Sequence, residues 1–445
     1  MAVLNVTGTW WLPENPERQV HGSLTFDLKE GGRLALDGIL RRPEDLAIAE
    51  PLPGGGTQIA ITEDILEAAG DYGRIHGKCD GRAFTLDGCF QIRSRTNLIR
   101  HVGNELIHVG QIFDGVWFSA NEQAGGNKLE FGVLNLANWV SRSGIEESIR
   151  VENEVPVGHT IKGETMSPLV ASVPTGGTVA LNHSISVGRI DSGVSIKNVF
   201  RVEVDLDGFK TIEDLTDAAS DLQDLVSIGT GDIAQFTSVH VWHSDLAARG
   251  GRTHEGGFDF YAPWSAVAPN DRKPVKPHEF YFTVEDLGGV DFLPGWMSVA
   301  ARHRSTLGRV MSTRYASGMQ LADRFINRAA ALEGFDRVES GMAQGRIFAA
   351  RIEACFELAG KPFEAIVEDS ARWIQEFKHH RNELAHHYGR RMRYSGVEQH
   401  YLAESAYWLF VFCMLRTAGA DDAGLEKIAQ NQKIRHLGRM VRRHF

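Results

Sequence analysis

The sequence predicts an α+β multidomain protein whose β-rich N-terminal half, an antiparallel sandwich or barrel-like fold, is followed by a C-terminal all-α helical bundle. From residue 1 to about 210, short β-branched or aromatic runs alternate with Asp-Gly dipeptides, which favour antiparallel hairpins. After about residue 295, apolar residues recur at spacings of three and four, as in helices. A connector rich in proline and charge, residues 268–278, lies between the two patterns. We therefore predict domains at residues 1–210, 211–295 and 296–445.

The clearest strands of the N-terminal half are residues 82–86 and 199–206, each of which places most of its apolar side chains on one face. Residues 212–228 then change to helical spacing, and residues 236–242 return to a strand-like pattern. The segment 211–295 is therefore predicted to be a mixed continuation of helix and strand. Trp10 and Trp11 are expected to fill the core at the start of the β-rich half.

The C-terminal part carries five predicted helices, enough for a bundle. They cover residues 319–332, 342–358, 362–387, 397–415 and 425–441. The third begins with Pro362, whose missing N–H costs nothing in a first helical turn, and should end near Gly389, a suitable C-cap residue. Its core side is predicted to be an apolar stripe made of Ile366, Trp373, Phe377 and Leu384.

Composition indicates an ordinary globular chain of 445 residues, 42% of them hydrophobic and 23% charged. The first residues lack the pattern of a secretory signal, and no apolar run approaches the roughly 20 residues that span a bilayer. We therefore expect a cytoplasmic protein with no membrane partner. The four cysteines form no Cys-x-x-Cys pair and have no histidines at zinc-finger spacing. No metal, other cofactor or disulfide framework is therefore predicted.

Charge is distributed unevenly along the chain. Residues 296–445 carry 23 Lys and Arg against 16 Asp and Glu, a net charge of +7, whereas residues 1–295 carry 24 against 41, a net charge of -17. A basic C-terminal third on an acidic remainder is expected when only one domain contacts nucleic-acid phosphates. A random spread of surface charge is the alternative.

The third predicted helix also carries a polar row, His379, Asn382 and His386, on a side away from its core stripe. Arg381 lies between these two faces, and its long side chain can reach the polar row. A single helix can therefore present a guanidinium, an amide and an imidazole to one phosphate.

These side chains suit transesterification of RNA, in which the ribose 2′-OH attacks the adjacent phosphorus and the 5′-oxygen leaves. An imidazole can transfer the proton near neutral pH, and a guanidinium can neutralise the charged phosphorus of the transition state without a metal. Asn382 can orient the imidazole or hold a phosphate oxygen. Because one imidazole cannot easily serve both ends of the reaction, we expect two copies to face each other in a homodimer or higher homo-oligomer.

The spacing of Arg381 and His386 is not specific by itself. Arginine followed five residues later by histidine also occurs at Arg249 and at Arg439. The first of these copies lies in a glycine-rich loop, and the second is expected at a frayed terminus. The central copy differs because Asn382 follows the arginine and a long amphipathic helix surrounds it. A solvated helix face is the alternative interpretation of the pair.

A family resemblance rests on these residues. Arg381-Asn382, with His386 after three more residues, resembles the Arg-x(4–6)-His signature of HEPN domains, and residues 323–333 resemble the first helix of the HEPN domain in ApeA-type anti-phage proteins. The opening Gly-Thr-Trp-Trp-Leu-Pro at residues 8–13, the Gly22-x-Leu24 that follows, and residues 131–139 are similar to the β-rich N-terminal domain of the same proteins.

The resemblance implies an abortive-infection effector whose β-rich half senses a phage-derived trigger, expected to be a protein, and whose HEPN dimer cuts RNA, with tRNA as the candidate substrate. Arg381, Asn382 and His386 match the catalytic signature, while His387 offers an alternative imidazole. Glu333 and Asp323 are candidates for the acidic first-helix residue of some HEPN enzymes. The basic residues around the site are candidates for RNA binding: Lys378, Arg390, Arg391 and Arg393.

Two other classes of function remain open from the sequence. One is a non-catalytic HEPN scaffold that dimerises or binds nucleotide or RNA. The other is a β-rich ligand-binding module with a helical dimerisation tail. No motif in residues 1–295 identifies the trigger or the ligand.

A second basic cluster lies at the end of the sequence. It consists of Lys433, Arg435, Arg439, Arg442 and Arg443. These side chains could hold flanking RNA phosphates, or they could be solubilising or interface charges.

Overall fold

A computed structural model gives the fold of the chain and describes residues 4–27, 30–41, 45, 49–51, 57–59, 70–97, 102–174, 176–191, 193–243, 256–263, 273–341, 345–386 and 393–445. The chain divides into two compact units. The first comprises Met1–Phe131, Gly208–Leu215 and Gln235–Lys273, and the second comprises Gly132–Asp207, Thr216–Ala234 and Pro274–Phe445.

The described residues of the first unit lie mainly in strands. They are β1 Leu4–Leu12, β2 Asn15–Asp27, β3 Gly31–Leu36, β4 Ala49–Pro51, β5 Thr57–Ile59, β6 Asp71–Cys79, β7 Arg82–Asn97, β8 Val102–Val109, β9 Gln111–Asp114, β10 Gly125–Val133, β16 Phe236–Trp242 and β17 Gly257–Tyr261. Strand β9 pairs with both β7 and β17, and β17 pairs with β16.

Six of these strands close into an antiparallel ring in the order β1, β2, β3, β8, β7, β6 and back to β1. Closure leaves none of the six with a free edge. Trp10 is fully buried in the ring's core, and its indole N–H donates to the carbonyl of Gly22 at 3.1 Å. Gly77 leaves the space that the Trp10 ring fills. The predicted antiparallel, barrel-like half is confirmed, and both Trp10 and Trp11 are buried as expected.

The Asp-Gly dipeptides have two different roles. Asp80 and Gly81 have φ angles of 49° and 80° and form the tight turn between β6 and β7, as the sequence predicts. Gly88, with a φ of 63°, instead lies inside β7. There the pairing steps from Arg74–Asp87 to Gly73–Cys89 and leaves Gly88 as the extra residue of a bulge.

The second unit contains strands β11 Ile145–Glu152, β12 Val155–Gly163, β13 Leu169–Ser172, β14 Thr178–Ile190 and β15 Gly193–Thr211. Strands β11 and β12 form a separate hairpin, and β13, β14 and β15 form an antiparallel meander. Among the described residues, the α-helices are α1 Leu136–Val140, α2 Ile212–Thr230, α3 Leu293–Arg302, α4 Arg304–Tyr315, α5 Leu321–Glu339, α6 Phe348–Ala359, α7 Lys361–Glu364, α8 Ser370–His386, α9 Gly396–Thr417, α10 Asp422–Ala429 and α11 Gln432–His444.

The helices agree with the predicted two-part layout. Helix α9 is buried over most of its length and packs against α5, α6 and α11, so it forms the centre of the helical region. Helix α2, predicted at residues 212–228, also belongs largely to this unit, since the indole of Trp296 donates to the carbonyl of Asp221 at 2.6 Å. Within the described ranges, no helix combines the length and apolar character needed to cross a membrane.

Two predicted long helices are each broken into two. The predicted helix 362–387 consists of α7 and α8, because Asp369 accepts a hydrogen bond from the N–H of Arg372 at 2.9 Å and starts a new helix. The predicted helix 425–441 consists of α10 and α11, where Asn431 accepts from the N–H of Lys433 at 2.9 Å. The expectation of a frayed terminus at Arg439 is also wrong, since α11 continues to His444.

Part of the predicted connector lies outside the described residues. Its described portion, residues 273–278, has no regular structure until a single 3-10 turn begins at Pro277. The predicted C-cap residue Gly389 and the loop around Arg249 also lie outside the described residues.

Candidate active site

Helix α8 is held in the helical region by aromatic side chains. Trp373 and Phe377 are fully buried and stack with ring centroids 4.8 Å apart, and the Trp373 indole donates to the hydroxyl of Ser405 at 3.0 Å. Leu384 is only partly buried, and Ile366, although buried, precedes the helix. The predicted stripe therefore anchors the first half of α8 and leaves its C-terminal turns near the surface.

Arg381 bends round the helix toward the predicted polar row. Its Nη1 donates to Oδ1 of Asn382 at 3.2 Å, and its guanidinium carbon lies 5.2 Å from the centre of the Phe348 ring. The side chain is 34% exposed, so the guanidinium is shielded on one side and open on the other. Arg381 and Asn382 thus present their polar groups together.

A carboxylate of helix α5 lies beside this guanidinium. Glu333 Oε2 is 3.9 Å from Nη2 of Arg381, and Glu333 Oε1 accepts from Nη2 of Arg337 at 2.7 Å. The first of these separations exceeds hydrogen-bond length. The fold therefore brings one of the two acidic candidates to the arginine.

Asp323 is the acidic candidate that the fold does not bring to the arginine. It lies ten residues before Glu333 on α5, roughly 15 Å along the helix axis, and is exposed. Within the described ranges, Asp323 has no hydrogen bond or ion pair with Arg381 or Asn382.

His386 is the last residue of α8 and is exposed. It follows Asn382 by four residues, so the two side chains lie on the same side of the helix. Five residues separate it from Arg381, which turns the two Cβ positions about 140° apart around the axis. The contact with Asn382 directs the Arg381 guanidinium toward the side of the helix that also carries His386.

The basic candidates for RNA binding differ in their surroundings. Lys378 is exposed, without an ion-pair partner in the described part of the chain. Arg393 is held against α8, since Nη1 lies 3.0 Å from Nδ1 of His379 and Nη2 donates to Glu376 at 3.1 Å. The other candidates, His387, Arg390 and Arg391, lie outside the described residues.

Sequence reasoning missed His380, which is fully buried in the same helix. Its ring packs between Phe325, at 4.4 Å, and Tyr394, at 4.9 Å, and its Nδ1 lies 3.7 Å from a Glu383 oxygen. Burial lowers the pKa of His380, and the Glu383 carboxylate opposes that shift. The signal was present in the sequence, because His380 follows Phe377 by three residues and so continues the apolar stripe.

The described residues contain no group of three His, Cys, Asp or Glu side chains placed to hold a metal ion. Helix α8 instead offers the N–H donors of Arg381, the amide of Asn382 and the exposed imidazole of His386. Such groups can bind a phosphate and move a proton.

Comparison with known proteins gives one family. The sequence model described as ApeA N-terminal domain 1 matches residues 5–296, which is more than half of the chain. No curated protein and no solved structure matches the chain. Arg381, Asn382 and His386 lie beyond the matched residues.

Proposed function

The chain belongs to the ApeA N-terminal domain 1 family and is an ApeA-type anti-phage defence protein, and we propose that its helical region is a HEPN endoribonuclease. In this proposal the β-rich half senses a phage-derived protein in the cytoplasm, and the helical region then cuts RNA, with tRNA as the substrate. The observation that supports it most is the contact of Arg381 with Asn382 on the helix that also carries the exposed His386.

Each of the three side chains has a role in the proposed reaction. The imidazole of His386 takes the proton of the ribose 2′-OH, the 2′-oxygen bonds to phosphorus, and the bond to the 5′-oxygen breaks as that oxygen takes a proton from the protonated His386 of a second copy. The products are a 2′,3′-cyclic phosphate and a 5′-hydroxyl. The guanidinium of Arg381 stabilises the charge that develops on the phosphate oxygens, and no metal is needed.

The surroundings of Arg381 suit this role. Asn382 accepts one of its N–H groups, which directs the guanidinium and leaves the amide N–H of Asn382 as a donor for a phosphate oxygen. Glu333, at 3.9 Å from Nη2, is too far for a hydrogen bond, so a phosphate oxygen can take the Nη2 donors. At this distance the Glu333 carboxylate still attracts the guanidinium, so Glu333 serves as a positioning residue in the proposal.

The proposed enzyme is a homodimer or higher homo-oligomer. Proton removal from the 2′-oxygen and proton delivery to the 5′-oxygen occur at opposite ends of the reacting phosphate. A second copy of α8 would supply the second imidazole. The net charge of +7 over residues 296–445 supports binding of RNA by this region.

The test compares wild type, Arg381→Ala and His386→Ala in phage-infected cells and as purified protein incubated with tRNA and EDTA. We expect each substitution to lower the cleavage rate at least about 100-fold and to abolish the 2′,3′-cyclic phosphate ends, since each removes a group acting on the transition state. Arg372→Ala removes an exposed arginine of the same helix and should cut like wild type. Cleavage by His386→Ala at the wild-type rate would contradict the proposal.

One observation favours a second candidate, a non-catalytic HEPN scaffold that dimerises or binds nucleotide or RNA. Arg381 has contacts within its own chain, with Asn382 and Phe348, and a structural arginine would have the same contacts. In that case Arg381→Ala would leave total RNA and its end groups unchanged during infection while altering the oligomeric state.

A further inference from the structure

A cavity of about 440 Å³ lies where α7, α10 and α11 meet. It contains none of the candidate catalytic residues. It adjoins the segment that precedes α8, whereas Arg381 lies eleven residues into that helix, roughly 16 Å along its axis. The cavity is therefore a separate place on the helical region.

The lining of the cavity is strongly basic. Arg435, Arg439 and Arg442 follow one another at spacings of four and three and so share one side of α11, and Lys361 joins them from the start of α7. Among the lining residues Glu426 is the single carboxylate, so the lining carries four cations against one anion. A concave site lined by one sign of charge attracts ligands of the opposite sign.

Most of these cations are unpaired. Within the described ranges, neither Lys361, Arg435 nor Arg439 has an ion-pair partner. Arg442 donates from Nη1 to the carbonyl of Ala365 at 2.9 Å, and its Nε is 4.0 Å from a Glu368 oxygen. An anion bound in the cavity would relieve the repulsion among these side chains.

The walls are set by backbone contact. Helix α11 passes so close to the segment after α7 that a Cβ at Gly438 would lie 2.7 Å from the carbonyl oxygen of Ala365. Since the glycine permits this approach and Arg442 bonds to the same carbonyl, the backbone walls of the cavity are in place before any ligand binds. The cationic side chains that line it are exposed, so a ligand would order them on binding.

We propose that this cavity binds a small phosphate-bearing compound of nucleotide size. Guanidinium groups match phosphate oxygens with paired N–H donors, which favours phosphate over other anions. The volume lies within the range of small-molecule sites. Pro362, Ala365 and Ala429 add a small apolar wall for the rest of the ligand. The cavity contains none of the proposed catalytic residues, so this proposal does not depend on the ribonuclease proposal.

The test measures binding of ADP and of inorganic pyrophosphate to the full chain by calorimetry at low salt. We expect one site per chain, and we expect Arg439→Ala to weaken binding at least about 10-fold because it removes charge-assisted hydrogen bonds. Arg443→Ala removes an exposed cation of the same helix that does not line the cavity, so its binding should equal that of wild type. Thermal unfolding without ligand checks that both variants are folded.

Three results would overturn the proposal. The first is that neither ADP nor pyrophosphate binds. The second is that Arg443→Ala weakens binding as much as Arg439→Ala, which would indicate general attraction to a basic surface. The third is that a single-stranded RNA oligonucleotide binds while both small compounds fail, which would make the surface an RNA contact.

Discussion

Glu404 lies between two arginines in the helical region. Its Oε1 accepts from Nη1 of Arg328 and its Oε2 from Nη2 of Arg314, both at 2.8 Å, and Arg328 is fully buried. Burial alone would raise the pKa of Glu404, but Arg314 and Arg328 outweigh that effect and lower the pKa to about 2. Glu404, Arg314 and Arg328 form a triad that connects α4, α5 and α9, because the carboxylate of α9 pairs with a guanidinium from each of the other two helices.

Glu404→Gln should lower the free energy of unfolding by about 3–5 kcal/mol at pH 7, because it leaves a buried arginine without a counter-charge. The folded pKa lies below the usual 4.5, so the carboxylate's contribution is complete above that pH and is lost as pH falls toward 2. Denaturant unfolding at several pH values should therefore show the difference between wild type and variant shrinking under acid conditions.

A matched control is Glu353→Gln, which changes an exposed glutamate of α6 and should alter stability by less than about 0.5 kcal/mol. Equal stability of Glu404→Gln and wild type at pH 7 would show that the triad does not stabilise the fold.

At the scale of elements, the start of α8 depends on one capping side chain. The carboxylate of Asp369 accepts from the N–H of Arg372, and the Asp369 carbonyl accepts from the N–H of Trp373 at 3.0 Å. This cap fixes the residue at which α8 begins. Because α8 carries Arg381, Asn382 and His386, the cap also fixes how far these residues lie along the helix.

Asp369→Ala should lower the free energy of unfolding by about 1 kcal/mol, the usual effect of losing an N-cap. Asp369→Asn should retain most of the stability, since the amide oxygen can also accept the hydrogen bond. Glu368→Ala changes the neighbouring carboxylate, whose side chain is 83% exposed, and serves as the control in the same urea titration. The cap assignment is wrong if Glu368→Ala destabilises the protein as much as Asp369→Ala.

At the scale of the whole molecule, the proposed chemistry requires two chains. Ala385 is an exposed alanine next to His386, so it should lie at the interface if two α8 helices face each other. Ala385→Arg should then give a monomer in sedimentation experiments and abolish RNA cleavage, because a large charged side chain keeps the helices apart.

Ala371→Arg is the control for this prediction. It places the same charge on an exposed alanine of the same helix, roughly 21 Å from Ala385 along the axis, and should leave a dimer. Wild-type protein that cuts RNA as a monomer would rule out the shared site.

The layout of the fold could be predicted from the sequence because its signals are local. Period-two runs and turn dipeptides predict the strands, as at residues 82–86 inside β7, and spacings of three and four predict helices such as α2. The C-terminal excess of positive charge and the burial of Trp10 follow from residue type alone. The strand and helix patterns depend on neighbours within a few residues, and the charge and burial depend on residue identity.

The helix breaks show where local pattern misleads. Ile366 continues the apolar period of Trp373 and Phe377, so spacing alone joins α7 to α8. The structure separates them because Asp369 caps a helix start, an effect of hydrogen bonding that periodicity does not contain.

By itself, the sequence determined the two-part layout, β-rich and then helical, and the residues that α8 can present. Only the tertiary structure decided that six strands close into a ring, that Glu333 lies 3.9 Å from Arg381, and that α7, α10 and α11 together line a basic cavity. These features join residues tens of positions apart. Their proximity depends on how whole elements pack, which spacing along the chain does not encode.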